Sequence, residues 1–460
     1  MISLGCPKNL VDSEVMLGLA QQAGHQLTRD AGDADVLIVN TCAFIDKAKQ
    51  ESIDTILEMA ELKKHGACKR LVVTGCLAER YRDELQAQIP EIDAVLGTGE
   101  VGDIVQALVH PLPLYRGGPA PAIQTGARPR TQRHQPLGSR AALPTYLYDA
   151  STPRHLATPR HYAYIKVAEG CDYTCAFCII PRLRGQYRSR TADEIVREAE
   201  QLAARGVKEL LLISQDTTFY GNDLGERGAL GRLLRRLNQV DGLEWIRLLY
   251  LYPTTIDVGM LDAMAECDKV CNYIDLPLQH ASDAVLKRMR RPGTRRTYEQ
   301  LLDRIRTRIP GVALRTTFIV GFPGETDEDF DQLSEFVGAV GFDHVGVFTY
   351  SHEEGTRAGE WDDDVPASVK RKRRDRLMAR QAGIVAEAQQ ARVGERVRMV
   401  VDGPAPDHDL VLKGRLMSQA PDIDPVVYLT DCDPSAYEAG QFLEGEIVGA
   451  NAYDLLVKPV

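Results

Sequence analysis

Short apolar runs alternate with amphipathic stretches over the first part of the chain. The runs ISLGC, DVLIVNTC, RLVVTGC and AVLGT have the length and β-branched content of buried strands. Helical periodicity follows at about residues 12–24, 46–66 and 78–88. This alternation is typical of a parallel sheet covered by helices. We therefore predict an α/β domain with a parallel sheet over residues 1–110.

The same alternation repeats six times in the middle of the chain. The predicted strands are YAYIKVAEG, ELLLISQD, WIRLLYLYP, NYIDLPLQ, LRTTFIVGF and HVGVFTY. Six consecutive β/α units predict a partial (β/α)6 version of the eightfold barrel, in which function collects on the loops after the strands. With a connecting helix that begins near the basic run KRKRRDR, this domain is expected to span residues 161–390.

The two remaining segments have different patterns. Over residues 391–460, runs such as VRMVVDG, LVLKGRLM and PVVYLTD alternate like strands between Gly, Pro and Asp turns, which predicts a small antiparallel β-barrel. Residues 111–160 are rich in Pro, Gly and Arg and bury little apolar surface. We interpret them as a solvated linker, the alternative being that their arginines contact an acidic surface.

Composition excludes several classes of protein. The chain is 44% hydrophobic and 26% charged, as in ordinary globular domains, and its apolar runs are shorter than the roughly 18 residues of a membrane span. Ten cysteines without a recognisable secretory signal favour metal sites or free thiols in a reducing compartment. We expect a cytoplasmic protein without a membrane partner.

Three cysteines stand in the pattern Cys171-x3-Cys175-x2-Cys178, directly after a predicted strand. Thiolates suit iron–sulfur clusters or zinc. Three thiolates leave one corner of a four-iron cluster open, and that iron can chelate S-adenosylmethionine (SAM). Structural zinc sites use four ligands, and no His lies in this segment to complete them. We favour a radical-generating cluster over zinc or three packed core cysteines.

A second group of cysteines is dispersed along the N-terminal domain. Cys6, Cys42 and Cys76 each end a predicted strand and each lie beside a turn. The carboxyl ends of parallel strands meet at one edge of the sheet, where ligands bind. Each residue alone would be interpreted as a small buried hydrophobe. Three such placements together favour a second cluster held by three thiolates.

Polar residues follow the strands of the central domain. Asp216, in the loop QDTTFYG, and Gln279, in the loop LQHAS, are candidate ligands for the hydroxyl, amine or carboxylate groups of SAM. The alternative interpretation is that each caps its own loop. We assign no catalytic residue beyond the cysteines.

Charge bears on the choice of partner. The C-terminal segment contains six Lys or Arg residues and twelve Asp or Glu residues, and the whole chain has a net charge of −10. An acidic barrel repels nucleic-acid phosphates and attracts proteins rich in Lys and Arg. We therefore expect a basic protein partner and no direct tRNA substrate.

Long motifs of the chain resemble the radical-SAM methylthiotransferases. The resemblance rests on SLGCPKNLVDSE, NTCAFIDKAKQES, VTGCLAERY, TPRHYAYIKVAEGCDYTCAFCIIPRLRG, QDTTFYG, DLPLQHAS and GFPGETDEDF, in the order of that family. It covers nearly the whole chain except the linker. It implies an N-terminal domain with three dispersed cysteines, a radical-SAM domain and a C-terminal TRAM domain. CPKNLVDSE is similar to the branch that modifies a ribosomal protein rather than tRNA.

The resemblance implies an activity, which is the addition of a methylthio group to the β-carbon of an aspartate in the twelfth small-subunit ribosomal protein. It implies two [4Fe-4S] clusters, an auxiliary one on Cys6, Cys42 and Cys76 and a SAM-binding one on the central motif, with two SAM molecules consumed per product. An electron donor such as flavodoxin or ferredoxin would be needed. The alternatives are methylthiolation of a tRNA adenosine and a non-catalytic iron–sulfur electron-transfer protein.

Overall fold

The computed structural model describes residues 1–109, 143–406 and 408–460. These residues form two compact units. The first unit comprises Met1–His155, Gly170–Asp172 and Ile179–Gln186, and the second comprises Leu156–Glu169, Tyr173–Cys178 and Tyr187–Val460. Within the described residues, no helix is both long and apolar enough to cross a membrane.

A four-stranded sheet with all neighbours parallel forms the centre of the first unit, in the order β1-β2-β3-β4. The strands are β1 (Ile2–Ser3), β2 (Val36–Thr41), β3 (Arg70–Gly75) and β4 (Ile92–Leu96). The helices are α1 (Pro7–Gln22), α2 (Asp46–His65), α3 (Cys76–Arg80), α4 (Arg82–Gln88) and α5 (Ile104–Val109), with a 3-10 turn at Val101–Asp103. A further helix of this unit, α6 (Ile180–Arg184), follows the central cysteine motif in the sequence.

The sheet is buried because helices cover it on both faces. Val39 in β2 and Val73 in β3 are paired in register and fully buried, as expected for central strands of a parallel sheet. The first helix begins at Pro7, earlier than the predicted start near residue 12. A proline at the first helical position is favourable, because its missing N–H would have no intrahelical partner there.

Part of the predicted linker has a defined position in the first unit. The Arg154 side chain forms an ion pair with Glu14 of α1 at 2.6 Å, and the two side chains are 5% and 1% exposed. The amide of His155 also donates to the Glu14 carbonyl oxygen at 2.9 Å. This end of the segment therefore packs against α1 and is not a solvated tether. Residues 111–142 of the predicted linker lie outside the described residues.

Six parallel strands in sequential order form the central part of the second unit. They make two three-stranded sheets, β5-β8-β9 and β10-β11-β12. A parallel bridge between Ile246 and Val270, and a hydrogen bond from the Leu251 amide to the Asp275 carbonyl oxygen at 2.9 Å, connect the two sheets. The predicted fold class, a partial (β/α)6 barrel, is confirmed. The strands are β5 (Tyr162–Lys166), β8 (Glu209–Ile213), β9 (Trp245–Leu248), β10 (Tyr273–Asp275), β11 (Ala313–Val320) and β12 (His344–Thr349), with the short pair β6 (Ala168–Glu169) and β7 (Arg188–Ser189).

Helices lie between these strands, and a long helix follows the last of them. They are α7 (Ala192–Ala204), α8 (Ala229–Leu237), α9 (Val258–Glu266), α10 (Asp283–Arg288), α11 (Arg295–Arg308), α12 (Asp327–Val340) and α13 (Ala367–Ala391), with 3-10 turns at Thr217–Phe219, Asn222–Leu224 and Ala358–Glu360. The basic run KRKRRDR lies inside α13. Its Lys370 and Arg373 are buried and form ion pairs with Asp363 and Glu325.

A closed five-stranded barrel ends the second unit. Its strands are β13 (Arg396–Ala405), β14 (His408–Leu416), β15 (Val427–Leu429), β16 (Phe442–Asn451) and β17 (Asp454–Pro459), with a 3-10 turn at Pro434–Ala436. They close in the order β13-β14-β15-β17-β16. The prediction of an antiparallel barrel is correct for the other neighbouring pairs but wrong for β15 and β17, which are parallel. β13 and β15 both run antiparallel to β14, and β13 and β17 both run antiparallel to β16, so β15 and β17 have the same direction.

A buried ionic network connects this barrel to the central strands. Arg415 in β14 lies 2.8 Å from both Glu209 in β8 and Asp402 in β13, and Glu209 also accepts a hydrogen bond from Arg247 at 2.8 Å. Burial acts to raise the pKa of both carboxyl groups, but the neighbouring charges and hydrogen bonds outweigh it and the pKa of each is lowered. The network therefore stabilises the fold at neutral pH and loses this contribution as the pH falls below the ordinary carboxyl range of about 4.

Replacing Arg415 tests this network. We expect Arg415→Met to lower the free energy of unfolding by about 3–5 kcal/mol, because the carboxylates of Glu209 and Asp402 each lose one of their two partners in a buried network. Arg398→Met is the matched control, since Arg398 lies in the same barrel but its side chain and that of its partner Glu244 are 46% and 40% exposed. The control should cost less than about 1 kcal/mol. Chemical denaturation of both variants at pH 7 gives the comparison, and equal losses would contradict it.

Candidate metal and cofactor centres

The three dispersed cysteines of the first unit follow three neighbouring parallel strands. Cys6 precedes α1, Cys42 follows β2 directly, and Cys76 is the first residue of α3, directly after β3. A methyl group added at Gly5 would lie 3.1 Å from the Cys42 sulfur. Cys6 and Cys42 also lie close enough to Cys76 for a negative charge on either sulfur to raise the pKa of the Cys76 thiol. The structure therefore brings the three sulfur atoms into one neighbourhood at the carboxyl edge of the sheet.

Glycines allow two of these loops to approach each other. Gly5 (φ +88°) and Gly75 (φ +94°) each precede a cysteine and adopt backbone conformations that L side chains rarely adopt. A Cβ at Gly75 would lie 2.2 Å from the Asn40 side-chain oxygen, and one at Gly5 would lie 2.8 Å from the Cys42 Cβ. The Gly-Cys sequence is therefore a geometric requirement of this edge.

Two residues that were not predicted from the sequence organise this group. Asn9 of α1 donates from its amide to the carbonyl oxygens of Leu4 at 3.0 Å and Thr41 at 2.8 Å, which ties the loops of Cys6 and Cys42 together. Its amide oxygen accepts a hydrogen bond from Arg184. Arg184 also donates to Asp12 at 2.7 Å and lies 3.7 Å from the Cys76 sulfur.

Burial favours neutral thiols at two of these cysteines, Cys42 and Cys76, in the absence of metal. Burial raises the pKa of the Cys76 thiol to about 12, more than the Arg184 charge lowers it. Burial also raises the pKa of Cys42, against the lowering effect of a hydrogen bond with the Phe44 backbone. A metal that binds here must displace the thiol protons.

The central motif is also structured by its backbone. The Cys171 amide donates to the Gly185 carbonyl oxygen at 3.0 Å in the first unit. In the second unit, the Cys178 amide donates to the Cys175 carbonyl oxygen at 3.1 Å. The Cys175 sulfur lies 3.8 Å from a guanidinium nitrogen of Arg291. Cys171, Cys175 and Cys178 are all half-buried, so each combines shielding with access.

None of the ten cysteines, all of which lie in the described residues, forms a disulfide. Within the described ranges, no group of three or more His, Cys, Asp or Glu side chains is placed to hold one metal ion. An iron–sulfur cluster has a different requirement, because each thiolate binds a different iron and the sulfur atoms stay apart. The donor chemistry of both cysteine groups fits such a cluster and does not fit a closed zinc site.

The two candidate SAM ligands differ in their surroundings. Asp216 is fully buried, and its carboxylate accepts hydrogen bonds from the Thr218 amide at 2.9 Å and the Tyr173 hydroxyl at 2.8 Å. Burial raises the pKa of Asp216 against the lowering effect of these bonds. The structure thus gives Asp216 the capping role that was the alternative interpretation.

Gln279 is placed differently. It follows β10, is half-buried, and has a φ of +74°, which is rare for a residue with a side chain. Its backbone bonds on both sides to β11, through Thr317 at 2.9 Å and Ile319 at 2.8 Å. These two hydrogen bonds hold the residue in this backbone conformation.

Three family models match the chain in order. They are the uncharacterized protein family UPF0004 over residues 1–97, the radical SAM superfamily over residues 165–337, and the TRAM domain over residues 393–460. The ribosomal protein uS12 methylthiotransferase RimO of Koribacter versatilis (strain Ellin345) is 47% identical over 99% of this chain and 95% of its own length. The chain belongs to the RimO family. The RimO protein of Myxococcus xanthus (strain DK1622) is 46% identical over 100% of this chain and 91% of its own length. That of Trichlorobacter lovleyi is 44% identical over 100% of this chain and 97% of its own length.

Solved structures agree on the fold. The radical SAM methyltransferase TsrM from Kitasatospora setae, with cobalamin and a [4Fe-4S] cluster bound, has a TM-score of 0.54 at 18% identity and covers 78% of this chain and 71% of its own. The cobalamin-dependent SAM radical enzyme OxsB has a TM-score of 0.51 at 12% identity, and the match covers 83% of this chain and 55% of OxsB. RimO is a radical SAM methylthiotransferase, and membership in that superfamily implies SAM and a [4Fe-4S] cluster.

Glycine substitutions test the crowding at the dispersed cysteines. We expect Gly5→Ala to cost more stability than Gly24→Ala, although Gly5 and Gly24 have φ values of +88° and +92°. A Cβ at Gly24 meets nothing within 4 Å, so Gly24→Ala lowers stability only through the unfavourable positive φ, by about 1–2 kcal/mol. At Gly5 the methyl group must also displace Cys42, which adds about 1–3 kcal/mol. Thermal or chemical unfolding of the metal-free variants measures the difference, and indistinguishable losses would refute the crowding.

Proposed function

We propose that this chain adds a methylthio group to the β-carbon of an aspartate in ribosomal protein uS12. The observation that carries the proposal is the convergence of Cys6, Cys42 and Cys76 at one sheet edge, separate in sequence from the Cys171 motif. Identities of 44–47% to RimO proteins over nearly the whole chain support it. A simple iron–sulfur electron carrier would need neither the second cysteine group nor the six-stranded barrel.

In this proposal each cysteine group holds one [4Fe-4S] cluster. Cys171, Cys175 and Cys178 hold the SAM-binding cluster, and Cys6, Cys42 and Cys76 hold the auxiliary cluster. With SAM bound and one electron supplied by an external donor, the site at Cys171, Cys175 and Cys178 would provide radical chemistry, in which SAM is cleaved to methionine and a 5′-deoxyadenosyl radical able to remove a hydrogen atom from an unactivated carbon. The division into domains at residues 1–110, 161–390 and 391–460 is retained as part of the proposal.

The chain's own residues position and shield these groups. Asn9 fixes the loops of Cys6 and Cys42 in one arrangement through its two carbonyl contacts. Arg184 places a positive charge beside Cys76, which favours its thiolate form. Gln279 has a positive φ and follows β10, at the carboxyl end of the strands, where the sites of such barrels collect. We therefore retain Gln279 as a SAM ligand and treat Asp216 as a residue that shapes the loop.

We propose that the acidic barrel attracts the basic ribosomal protein through its exposed carboxylates only. Two of its carboxylates are used internally: Asp402 pairs with His161 and Arg415, and Asp424 with Arg315. Among the barrel residues whose side chains the structure describes, the exposed acidic residues are Glu395, Asp422, Asp431, Asp433, Glu438 and Glu444. We also propose that a flavodoxin or ferredoxin donates the electrons and that the protein acts in the cytoplasm.

Iron and sulfide counting tests the two clusters. We expect about eight irons in the anaerobically reconstituted wild type and about four in each of Cys76→Ala and Cys175→Ala, because each cluster needs its three thiolates. SAM cleavage on reduction should be lost in Cys175→Ala and kept in Cys76→Ala. Cys432→Ala, a half-buried cysteine of the barrel, is the control and should keep about eight irons. A wild type with about four irons would reject the auxiliary cluster.

Mass spectrometry tests the substrate. In a strain that lacks this protein, the uS12 aspartate should lose its methylthio group while tRNA modification is unchanged. Restoring the wild-type gene should restore the modification, and a gene with Cys175→Ala should not. Loss of methylthio-adenosine from tRNA with normal uS12 would reject the proposed substrate in favour of the tRNA alternative.

A further inference from the structure

A buried arginine contacts the central cysteine motif of the second unit. Arg291 is 7% exposed, and one of its guanidinium nitrogens lies 3.8 Å from the Cys175 sulfur. Another donates to the Pro277 carbonyl oxygen at 2.5 Å. The guanidinium lies over the Tyr252 ring at 4.1 Å from its centroid, and Tyr252 stacks on Tyr173 of the motif at 3.9 Å. Arg291 is therefore immobilised against the motif on two sides.

A left-handed turn at the end of α10 sets the position of Arg291. Arg290 has a φ of +54°, at a position after α10 where glycine is usual. Two hydrogen bonds hold this turn, from the Arg290 amide to Lys287 at 3.1 Å and from the Arg291 amide to Leu286 at 2.9 Å. The Ala176 amide of the motif donates to the Met289 carbonyl oxygen at 2.9 Å. The motif loop and the arginine are thus docked onto the same short segment.

The charge of Arg291 is not balanced by a carboxylate. The ionisable groups that act on it are Cys175, Tyr252 and Tyr298, and no carboxylate of the described residues pairs with it. Its Nε atom has no hydrogen-bond partner among the described residues. A buried cation without a counter-charge is costly, so the site is complete when an anion is present beside it. A thiolate-bound cluster carries that negative charge.

Arg184 in the first unit provides the contrast. It contacts the Cys76 sulfur at a similar distance, 3.7 Å, but donates to the Asp12 carboxylate at 2.7 Å. The Arg184–Asp12 pair has no net charge, whereas Arg291 brings a full positive charge to Cys175. At low dielectric, a net charge acts on a nearby redox centre far more strongly than a neutral ion pair.

We propose that Arg291 is a positioning residue of the SAM-binding cluster, whose uncompensated charge fixes the Cys175 thiolate and makes the cluster easier to reduce. This inference rests on the proposed function, because it requires a cluster at Cys175. Reduction adds one electron to the cluster, and the electron comes from the external donor named above. A positive charge held beside a cysteine ligand stabilises the reduced form relative to the oxidised form.

Reduction of the cluster in four full-length proteins tests the proposal: wild type, Arg291→Gln, Arg291→Lys and Arg288→Gln. Each is reconstituted anaerobically, its iron and sulfide are counted, and its reduction is followed by EPR at controlled potential, with the SAM-responsive signal identifying the motif cluster. We expect Arg291→Gln to lower the equilibrium constant for reduction at least tenfold, which is about 59 mV for one electron. Arg291→Lys keeps the charge and should stay within about threefold of wild type.

Arg288→Gln is the matched control. Arg288 is the last residue of α10, three residues before Arg291, and contacts Gly324 and Asp329 rather than a cysteine. Its removal should therefore leave the equilibrium constant for reduction within about threefold of wild type. If Arg291→Gln loses the cluster but Arg291→Lys keeps it at the wild-type potential, the fixing of the thiolate by charge is supported. If both Arg291 variants lose it, or if the Gln variant reduces like wild type, the proposal is overturned. A wild type without a motif cluster would instead reject the proposed function, and this inference with it.

Discussion

Parallel strands deliver their carboxyl ends to one edge of a sheet, and the cysteine chemistry of this chain depends on that constraint. In the first unit, β1, β2 and β3 are neighbours in a parallel sheet, and each is followed by a cysteine within three residues or fewer. Helices of the α/β repeat separate these cysteines in sequence without separating them in space. The carbonyl groups of the loops at this edge also need hydrogen-bond donors, and the Asn9 amide donates to carbonyl oxygens of two of the three loops.

This constraint explains why much of the fold and of the candidate site could be predicted from sequence. Hydrophobic periodicity indicated the four strands of the first sheet and the six of the barrel, and the position of each cysteine after a strand followed from the same pattern. Gly5 and Gly75 were visible only as turn residues, although their positive φ values bring the loops together. The Asp-Thr-Thr sequence at Asp216 did contain the signal of a capping residue, because an aspartate before a helical turn accepts amide hydrogen bonds.

The residues that were missed act over long separations in the sequence. Arg184 meets Asn9 and Asp12 from the other end of the first unit's sequence, and no local pattern links them. Composition has a similar limit, since it counts charges without locating them. The acidic surplus of the barrel suggested a surface for a basic partner, yet Asp402 and Asp424 are directed to buried ion pairs within the second unit. Among the barrel residues whose side chains are described, fewer acidic residues are exposed than the count from the sequence implied.

Each cysteine group has an arginine close to one of its sulfur atoms, and the two arginines have different effects. A guanidinium near a sulfur atom favours the thiolate in both units. Asp12 then cancels the charge of Arg184 beyond its immediate contacts, so its main effect is to hold the Cys76 loop in place through Asn9 and Asp12. Arg291 lacks such a partner among the described residues, and aromatic rings and one carbonyl oxygen hold it instead. These contacts orient the guanidinium without neutralising it, so its field remains available to the group bound at Cys175. The nitrogen–sulfur distances of the two arginines are therefore similar, and the contacts differ in the net charge beside the cysteine.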